Sequence, residues 1–332
     1  MNDKRFTDSR QILLETLCRV SESELLKALD IFLRKHYQKI EKTDNYIIAY
    51  GDIPVGLVAH MDTVFPTPPD EIYFDEKYGV MWSPQGLGAD DRAGIFAIIE
   101  IIGMGWRPTV IFTTGEEIGG VGAQNLIFDK PQVPCKLMYL IELDRAGFDD
   151  CVFYNCNNID FIKYVESFKF KEAYGTYSDI TFIAPVWEIA AVNLSIGYVE
   201  EHSYVERVFI DAIYETIDKV IKMLKDSFYL KEPFKYISKT KEEEYICEEI
   251  GTCAGCGQTD SLWSLIPVED KYYCLDCVPK YVNWCKNCNE AYSIIPGVED
   301  KGICPKCLEK IGLGGKDGSE RNRRKKRNHR KA

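Results

Sequence analysis

Five short segments before residue 230 carry side chains that can bind a metal ion or move a proton. Each lies at the end of an apolar run or in the loop after it, and in chain order they read AHMDTV, GLGADDRAG, TTGEEIGG, IELDRAG and GYVEEHSYVE. Their candidate functional residues are His60, Asp62, Asp90, Asp91, Glu116, Glu117, Asp144 and His202. Zinc accepts imidazole nitrogen and carboxylate oxygen, and a bridging carboxylate holds two ions about 3.5 to 4 Å apart around one activated water. The set therefore predicts a two-zinc hydrolytic centre.

Each segment alone is weak support, because a histidine after a strand is more often structural and paired glutamates in a glycine-rich loop are usually solvated. The chain has four histidines, and two of them stand at strand ends beside acidic residues. We interpret His36, on a helical face, as structural and His329 as part of a basic tail. Two roles stay open for Tyr198: a contact to the oxyanion or the substrate, and a buried structural tyrosine.

Short apolar runs alternate with helical patterns up to about residue 245. Strands are predicted at 45–50, 55–60, 109–114, 137–144, 151–156 and 190–198, and a loop rich in Pro and Asp at 64–87. Helices are predicted at 22–39, 92–103, 160–168 and 204–226, the last with Val205, Phe209 and Ile213 inward. This alternation predicts an α/β fold, a mixed and mostly parallel sheet with helices on both faces. The polar segments fall at the carboxyl ends of strands, where functional residues of such sheets gather.

These motifs, in this order, resemble those of the co-catalytic di-zinc exopeptidases. That family includes bacterial aminopeptidases, peptidase T, glutamyl aminopeptidases and related carboxypeptidases and deacylases. The resemblance covers residues 45–225, and the string GADDRAG is similar to peptidase T. It implies the zinc exopeptidase (phosphorylase/hydrolase-like) fold and hydrolysis of peptide bonds.

The resemblance also implies a role for each residue of the set. It gives the two zinc ions these ligands: His60 and Asp144 for one, Glu117 and His202 for the other, and Asp90 bridging both. Asp62 orients His60, as carboxylates do for zinc-bound imidazoles. Glu116 is the general base that takes a proton from water and returns it to the leaving amine. A cis peptide bond joins Asp90 and Asp91.

Two insertions of the wider family have no room in this chain. Only 57 residues separate Asp144 from His202, too few for the lid and dimerisation domain of the carboxypeptidase and deacylase branch. Only 29 separate His60 from Asp90, too few for the small barrel of the glutamyl aminopeptidase branch. We therefore expect a bare catalytic domain, most like the lidless aminopeptidases.

The chain after residue 245 is built from two cysteine repeats. Eight of the thirteen cysteines form four Cys-x-x-Cys pairs, with 17 residues between the first two pairs and 15 between the last two. The pairs are Cys253 and Cys256, Cys274 and Cys277, Cys285 and Cys288, and Cys304 and Cys307. This spacing predicts tandem zinc ribbons with two structural zinc ions, and crossed pairing between the modules stays open. Cys18, Cys135, Cys151, Cys156 and Cys247 are expected to be inert thiols.

The ends of the chain differ in charge from its body. The net charge is -11, yet residues 316–332 hold nine Lys or Arg against two Asp or Glu. Such a tail is expected to be disordered, and either solubilises the protein or contacts polyanions. No apolar run is long enough to cross a membrane, and the charged start MNDKRFTDSRQ is unlike a signal peptide. We expect a cytoplasmic protein without membrane contact.

The sequence thus predicts four domains and a hydrolytic function. The domains are a di-zinc peptidase catalytic domain at 1–245, zinc ribbons at 246–281 and 282–312, and a disordered basic tail at 313–332. The predicted function is a zinc metallopeptidase, an aminopeptidase whose partner is a peptide substrate. An amidase or deacylase with the same metal centre stays open. So does a non-catalytic adaptor that binds nucleic acid or protein through the ribbons and tail. The oligomeric state is not set by the sequence.

Overall fold

A computed structural model describes residues 7–239 and, further along the chain, 250–261, 265–269, 271–274, 276–288, 290–294, 300 and 302–310. The chain divides into two units, Met1–Lys239 and Thr240–Ala332. The predicted tail, with His329, and the thiol of Cys247 lie outside the described residues. Within the described ranges, no helix combines the length and apolar character needed to cross a bilayer. The bounds of the four predicted domains stay a prediction.

The first unit is an α/β structure. Its strands are β1 (Lys39–Lys42), β2 (Tyr46–Tyr50), β3 (Ile53–His60), β4 (Tyr73–Asp75), β5 (Val80–Trp82), β6 (Pro108–Thr113), β7 (Tyr139–Arg145), β8 (Asp150–Val152), β9 (Lys171–Glu172), β10 (Ala191–Ser195), β11 (Tyr198–Val199) and β12 (Arg207–Phe209). Its helices are α1 (Asp8–Arg19), α2 (Glu22–Leu33), α3 (Ala89–Gly103), α4 (Val121–Asp129), α5 (Ile159–Glu166), α6 (Ile180–Trp187) and α7 (Ile210–Asp226), followed by a short 3-10 helix at Ser227–Tyr229.

Eight strands form the central sheet in the order β1-β2-β6-β3-β7-β10-β8-β9. The central pairs β6-β3, β3-β7 and β7-β10 are parallel, whereas β1-β2, β2-β6 and β10-β8 are antiparallel. Successive side chains of a strand point to opposite faces. Leu57 accordingly packs in the core under α3 and α7, and Val58 packs with α4 and α6. The predicted fold class, a mixed and mostly parallel sheet with helices on both faces, is confirmed.

A second sheet, not predicted, lies beside the first in the order β11-β12-β5-β4. Two of its strands form within the segment 64–87, which was predicted to be a loop. A third begins where a helix was predicted, because Arg207–Phe209 pairs with Val80–Trp82 and holds the chain extended. Helix α7 therefore begins at Ile210 rather than 204. The prediction that Val205 faces inward is wrong, since it is 63% exposed.

Helix α2 begins at the residue that its sequence predicts but ends before the predicted residue. The Ser21 side chain accepts from the Glu24 N–H, and the Glu24 carboxylate accepts from the Ser21 N–H, which completes a capping box. The helix ends at Leu33 instead of 39, because Lys39–Lys42 pairs with β2. His36 therefore lies in the turn after the helix. Helices α1, α4 and α6 were not predicted.

The second unit is built from short hairpins. Its described elements are β13 (Ile250–Thr252), β14 (Thr259–Ser261), β15 (Ile266–Val268), β16 (Lys271–Tyr273), α8 (Val278–Tyr281), β17 (Val282–Trp284), β18 (Ala291–Ser293) and α9 (Pro305–Lys310). The strands pair as β13-β14, β15-β16 and β17-β18, all antiparallel. The two repeats of the sequence thus become small modules of two-stranded sheets and single helical turns.

Candidate metal centre and catalytic site

The candidate residues meet at one edge of the central sheet. Strand β3 ends at His60, the loop after β6 carries Glu116 and Glu117, and Asp144 lies near the end of β7. These three strands are parallel neighbours, so their carboxyl ends lie together. The N-terminal turn of α3 adds Asp90, and a turn between β11 and β12 adds His202.

Asp90 lies between two sets of atoms that could hold a metal ion. Its Oδ1 lies 3.0 Å from His60 Nε2, which is also 3.4 Å from Asp144 Oδ1. Its Oδ2 lies 3.1 Å from His202 Nε2, which is also 3.1 Å from Glu117 Oε2. The ligating atoms of each set lie within 4.8 Å of one another. Two cations that share Asp90 would fit these sets.

The charges of the site also call for cations. Burial raises the pKa of Asp144 to about 7 and the pKa of Glu116 to about 9. Hydrogen bonds to Asp90 and Glu117 raise the pKa of His202 to about 11. Glu117 Oε1 is buried without a hydrogen-bond partner. Protons or metal ions must balance this buried negative charge, and a donor set of imidazoles and carboxylates fits zinc.

Asp62 connects two parts of the site. Its Oδ1 lies 3.3 Å from His60 Nδ1, close enough for an ion pair, but the alignment is too poor for a hydrogen bond. The same carboxylate accepts the backbone N–H groups of Glu116, at 3.0 Å, and Glu117, at 3.1 Å. Asp62 therefore fixes the glutamate loop against the end of β3, a task that the sequence did not indicate.

A cleft of about 380 Å³ opens beside these side chains. Asp90, Glu116, Asp144 and His202 line it. Glu116 is 7% exposed, and one of its carboxylate oxygens lies within 4.8 Å of ligating atoms of His60 and Glu117. A molecule that enters the cleft therefore meets Glu116 and both candidate metal-binding sets together.

The fold of the chain is known from solved peptidases. A tripeptidase from Staphylococcus aureus subsp. aureus Mu50 matches 67% of this chain with 98% of its own, at a TM-score of 0.55 and 13% identity. Aminopeptidase PepT from Bacillus cereus ATCC 10987 matches 66% of this chain with 98% of its own, at 0.51 and 16%. The chain has their fold. No protein-family profile and no curated protein matches the sequence.

In the first unit, Glu206 holds the chain that leads to Asp90. Its buried carboxylate accepts the backbone N–H groups of Gly88, at 2.6 Å, Ala89, at 3.1 Å, and Asp90, at 3.1 Å. Burial raises the pKa of Glu206 to about 7. No pattern in the sequence indicated this role, although Glu206 lies in the same segment as His202, because the groups that it binds are far away along the chain.

Asp91 joins α3 to the end of β3. It follows Asp90 through a cis peptide bond, as the resemblance implied. Its carboxylate accepts the N–H groups of Gly94, at 2.9 Å, and His60, at 3.3 Å. A Cβ atom at position 94 would lie 2.1 Å from the carbonyl oxygen of Leu143 and 2.4 Å from Asp91 Oδ1, so only glycine fits. Helix α3 and strand β7 therefore pack backbone to backbone beside the site.

Polar side chains behind Asp144 fix it in place. Its backbone N–H donates to Asn193 Oδ1 at 3.0 Å, and Asn193 Nδ2 donates back to its carbonyl oxygen at 2.8 Å. The hydroxyl of Ser178 donates to Glu142 and lies 3.4 Å from Asp144 Oδ2. Tyr198, 2% exposed, donates to Asp144 Oδ1 at 3.2 Å. The hydrogen bond to Asp144 thus supports a structural role for Tyr198.

The remaining histidine and thiols of the first unit lie in other contacts. Nη2 of Arg107 lies 3.2 Å from His36 Nδ1, which agrees with a structural histidine. Burial raises the pKa of Cys18 and of Cys151 to about 12 and also raises the pKa of Cys135. A thiol must be deprotonated to act as a nucleophile. Burial therefore disfavours the reactive thiolate of Cys18, Cys135 and Cys151, and the inertness of the thiols stays a prediction.

The cysteines of the second unit form two separate quartets. Their members are Cys253, Cys256, Cys274 and Cys277 in one, and Cys285, Cys288, Cys304 and Cys307 in the other. All four sulfur atoms of a quartet lie within 4.8 Å of one another, so the pairs are not crossed between modules. Backbone N–H groups, first that of Cys304, lower the pKa of Cys285 to about 6. This favours thiolate, the form that binds zinc.

Proposed function

We propose that the first unit is a two-zinc metallopeptidase that removes residues from the free amino terminus of peptides. The observation that carries the proposal is Asp90, whose two oxygens each approach a different histidine. The fold shared with a tripeptidase and an aminopeptidase supports peptide hydrolysis as the reaction. An exposed carboxylate, Glu201, lines the same cleft and suits a free amino group.

The proposed metal ligands follow the two sets. His60, Asp144 and Asp90 would hold one zinc ion, and His202, Glu117 and Asp90 would hold the other. The cysteine quartets of the second unit would hold two further zinc ions. When bound, the paired zinc ions polarise the peptide carbonyl and make water more acidic. Asp62 orients His60, and Glu206 holds the backbone of Asp90.

Glu116 is the proposed general base. It takes a proton from water, and the water oxygen bonds to the carbonyl carbon of the substrate. Glu116 then gives this proton to the amine nitrogen as the carbon–nitrogen bond breaks. Its carboxylate lies within 4.8 Å of candidate ligand atoms of His60 and Glu117, which is the position that a general base needs to reach a water held at this site.

Peptide turnover tests this function. Full-length, zinc-loaded protein is mixed with peptides that have free or acetylated amino termini, and products are followed by mass spectrometry. We expect stepwise loss of residues from free termini only. Glu116→Gln should keep its metal and lower kcat by about 10²- to 10⁴-fold. The matched control Glu166→Gln, at an exposed position, should keep both its metal and the wild-type kcat.

The same assay identifies the alternatives. Equal cleavage of acetylated peptides would favour the amidase or deacylase. No cleavage of either set by metal-loaded protein would favour the non-catalytic adaptor. Near-normal turnover by Glu116→Gln would remove that residue from its role as the base.

A further inference from the structure

One cationic side chain stands in the otherwise acidic wall of the cleft. Among the described residues that line it, Arg145 is the only one with a permanent positive charge. The acidic lining residues are Asp90, Glu116, Glu117, Asp144 and Glu201. Arg145 directly follows Asp144 at the end of β7, so its backbone is fixed by the central sheet.

The partners of Arg145 within the chain do not satisfy it. Its Nη2 lies 3.7 Å from Asp150 Oδ2, a carboxylate whose side chain is 40% exposed. Its Nε is buried without a hydrogen-bond partner. A guanidinium group has five N–H donors, and an unpaired buried donor costs free energy. The Arg145 side chain is 24% exposed, and its Nη1 and Nη2 groups make no hydrogen bond of 3.5 Å or less within the described residues, so these terminal donors are available for an acceptor that enters the cleft.

A carboxylate is the acceptor that fits this group. Its two oxygens match the forked N–H groups of arginine in two parallel hydrogen bonds. A peptide spans about 3.3 to 3.6 Å per residue, which lets a carboxylate one or two residues from the scissile bond lie near Arg145.

We propose that Arg145 binds a carboxylate of the substrate and thereby selects short or acidic peptides. The carboxylate is either the free carboxyl terminus of a short peptide or an acidic side chain beside the scissile bond. This inference rests on the proposed peptidase function, because it assigns the substrate of that cleft.

Two pairs of peptides separate the two sources of the carboxylate. The first pair is Ala-Ala and its amide, and the second is the amides of Ala-Asp and Ala-Asn. We expect the zinc-loaded, full-length protein to prefer the carboxylate member of at least one pair by about tenfold or more in kcat/KM. A preference within the first pair identifies a terminal carboxylate, and one within the second pair identifies an acidic side chain.

Substitution of Arg145 should remove that preference. Arg145→Gln should reduce it to about threefold or less, mainly through KM, and Arg145→Lys should keep part of it as a point charge. Arg34→Gln, on the exposed end of α2, is the matched control and should keep the full preference. A wild-type protein without preference in either pair, or a preference that survives in Arg145→Gln, would overturn the proposal.

Binding measurements separate this inference from the proposed function. Calorimetry compares the same peptides with zinc-loaded Glu116→Gln and with Glu116→Gln/Arg145→Gln, so turnover is not needed. A carboxylate preference that is lost in the double variant supports the Arg145 site even if the wild type hydrolyses nothing. Hydrolysis without any such preference leaves the peptidase and rejects the Arg145 site. No binding of any of the four peptides rejects both.

Discussion

The two regions that could hold metal ions are constructed in opposite ways. In the first unit, the ligating side chains come from separate strands, loops and helix starts between His60 and His202. In the second unit, each cysteine quartet comes from one short stretch of hairpins, as in Cys253–Cys277. The first set opens to a cleft, whereas Cys253, Cys277 and three cysteines of the other quartet are buried. In the first unit the fold would position metal ions at a site open to substrate. In the second unit metal ions would replace a hydrophobic core as the source of stability.

The hydrophobic cores show the same difference. The central sheet of the first unit is covered on both faces by large apolar clusters. In the last module, the described cluster consists of Cys285, Tyr292, Cys304 and Cys307 with two isoleucines packed against it. Modules with so little apolar surface need a metal to fold. We therefore expect the two units to respond differently to the loss of metal.

Metal removal should have the largest effect. A strong chelator should abolish peptide turnover and unfold the second unit, while the first unit keeps a cooperative thermal transition by circular dichroism. Thiol labelling with mass spectrometry measures the difference: the quartet cysteines should react, and the buried Cys18 and Cys151 should not. Zinc should reverse both effects. If the quartet cysteines stayed protected from thiol labelling in the presence of chelator, the expected difference between the two units would be wrong.

Loss of the acceptor behind Asp90 should have an intermediate effect. Glu206→Gln places an amide NH₂ group against backbone N–H groups that the carboxylate now accepts. We expect the free energy of unfolding of the first unit to fall by about 1 to 3 kcal/mol. We also expect activity to fall by about 10- to 100-fold, because Asp90 loses its support. Denaturant unfolding and kcat/KM measure the two effects.

A neighbouring glutamate provides the control for this change. Glu200→Gln alters an exposed side chain of the same segment and should leave both quantities near the wild-type values. If Glu206→Gln behaved like Glu200→Gln, the candidate metal site of the first unit would not depend on support from residues far away along the chain. The two regions would then differ less in how their ligands are positioned.

A surface ion pair of the first unit should have the smallest effect. The Lys130 ammonium group bonds to Glu41 and lowers its pKa below 4.5. The folded state therefore binds fewer protons than the unfolded chain, so the stabilisation is present above pH 4.5 and is lost as the pH falls through the lower folded-state pKa. Glu41→Gln should cost about 0.2 to 1 kcal/mol at neutral pH and nothing in strong acid.

This change also sharpens the comparison between the regions. Because the Glu41 pair belongs to a unit that folds by packing, the effect of Glu41→Gln on unfolding should be the same with and without chelator. A chelator-dependent difference would show that metal also contributes to the packing of the first unit.

The sequence predicted those parts of the fold whose signals are local. Strands β3, β6 and β7 are continuous apolar runs, and the residues that follow them meet because parallel strands end at one edge. Helix α3 was predicted from residue 92, and its dihedral angles are non-helical at Asp90 and Asp91. The sequence could therefore place the site residues at one edge of the sheet, although it could not give the distances between them.

The parts that were missed depend on distant partners. Strand β12 has three residues, and its apolar spacing continues into α7, so only its pairing with β5 shows that it is extended. Strands β4 and β5 lie in a segment rich in turn residues, and each has three residues. Glu206 has the same limitation, because its partners lie at Gly88–Asp90. No local pattern contains such contacts.

The carboxylate of Asp91 has a consequence for the choice of metal ion. It joins the backbone of His60 to that of Gly94, while the missing side chain of Gly94 lets α3 press against the carbonyl of Leu143. These contacts tie the backbone that carries Asp90 to the backbones that carry His60 and Asp144. A cavity of fixed dimensions discriminates among divalent ions by radius and preferred coordination geometry. These few backbone contacts would limit how far the spacing of the candidate ligands could adjust to the radius of a bound ion.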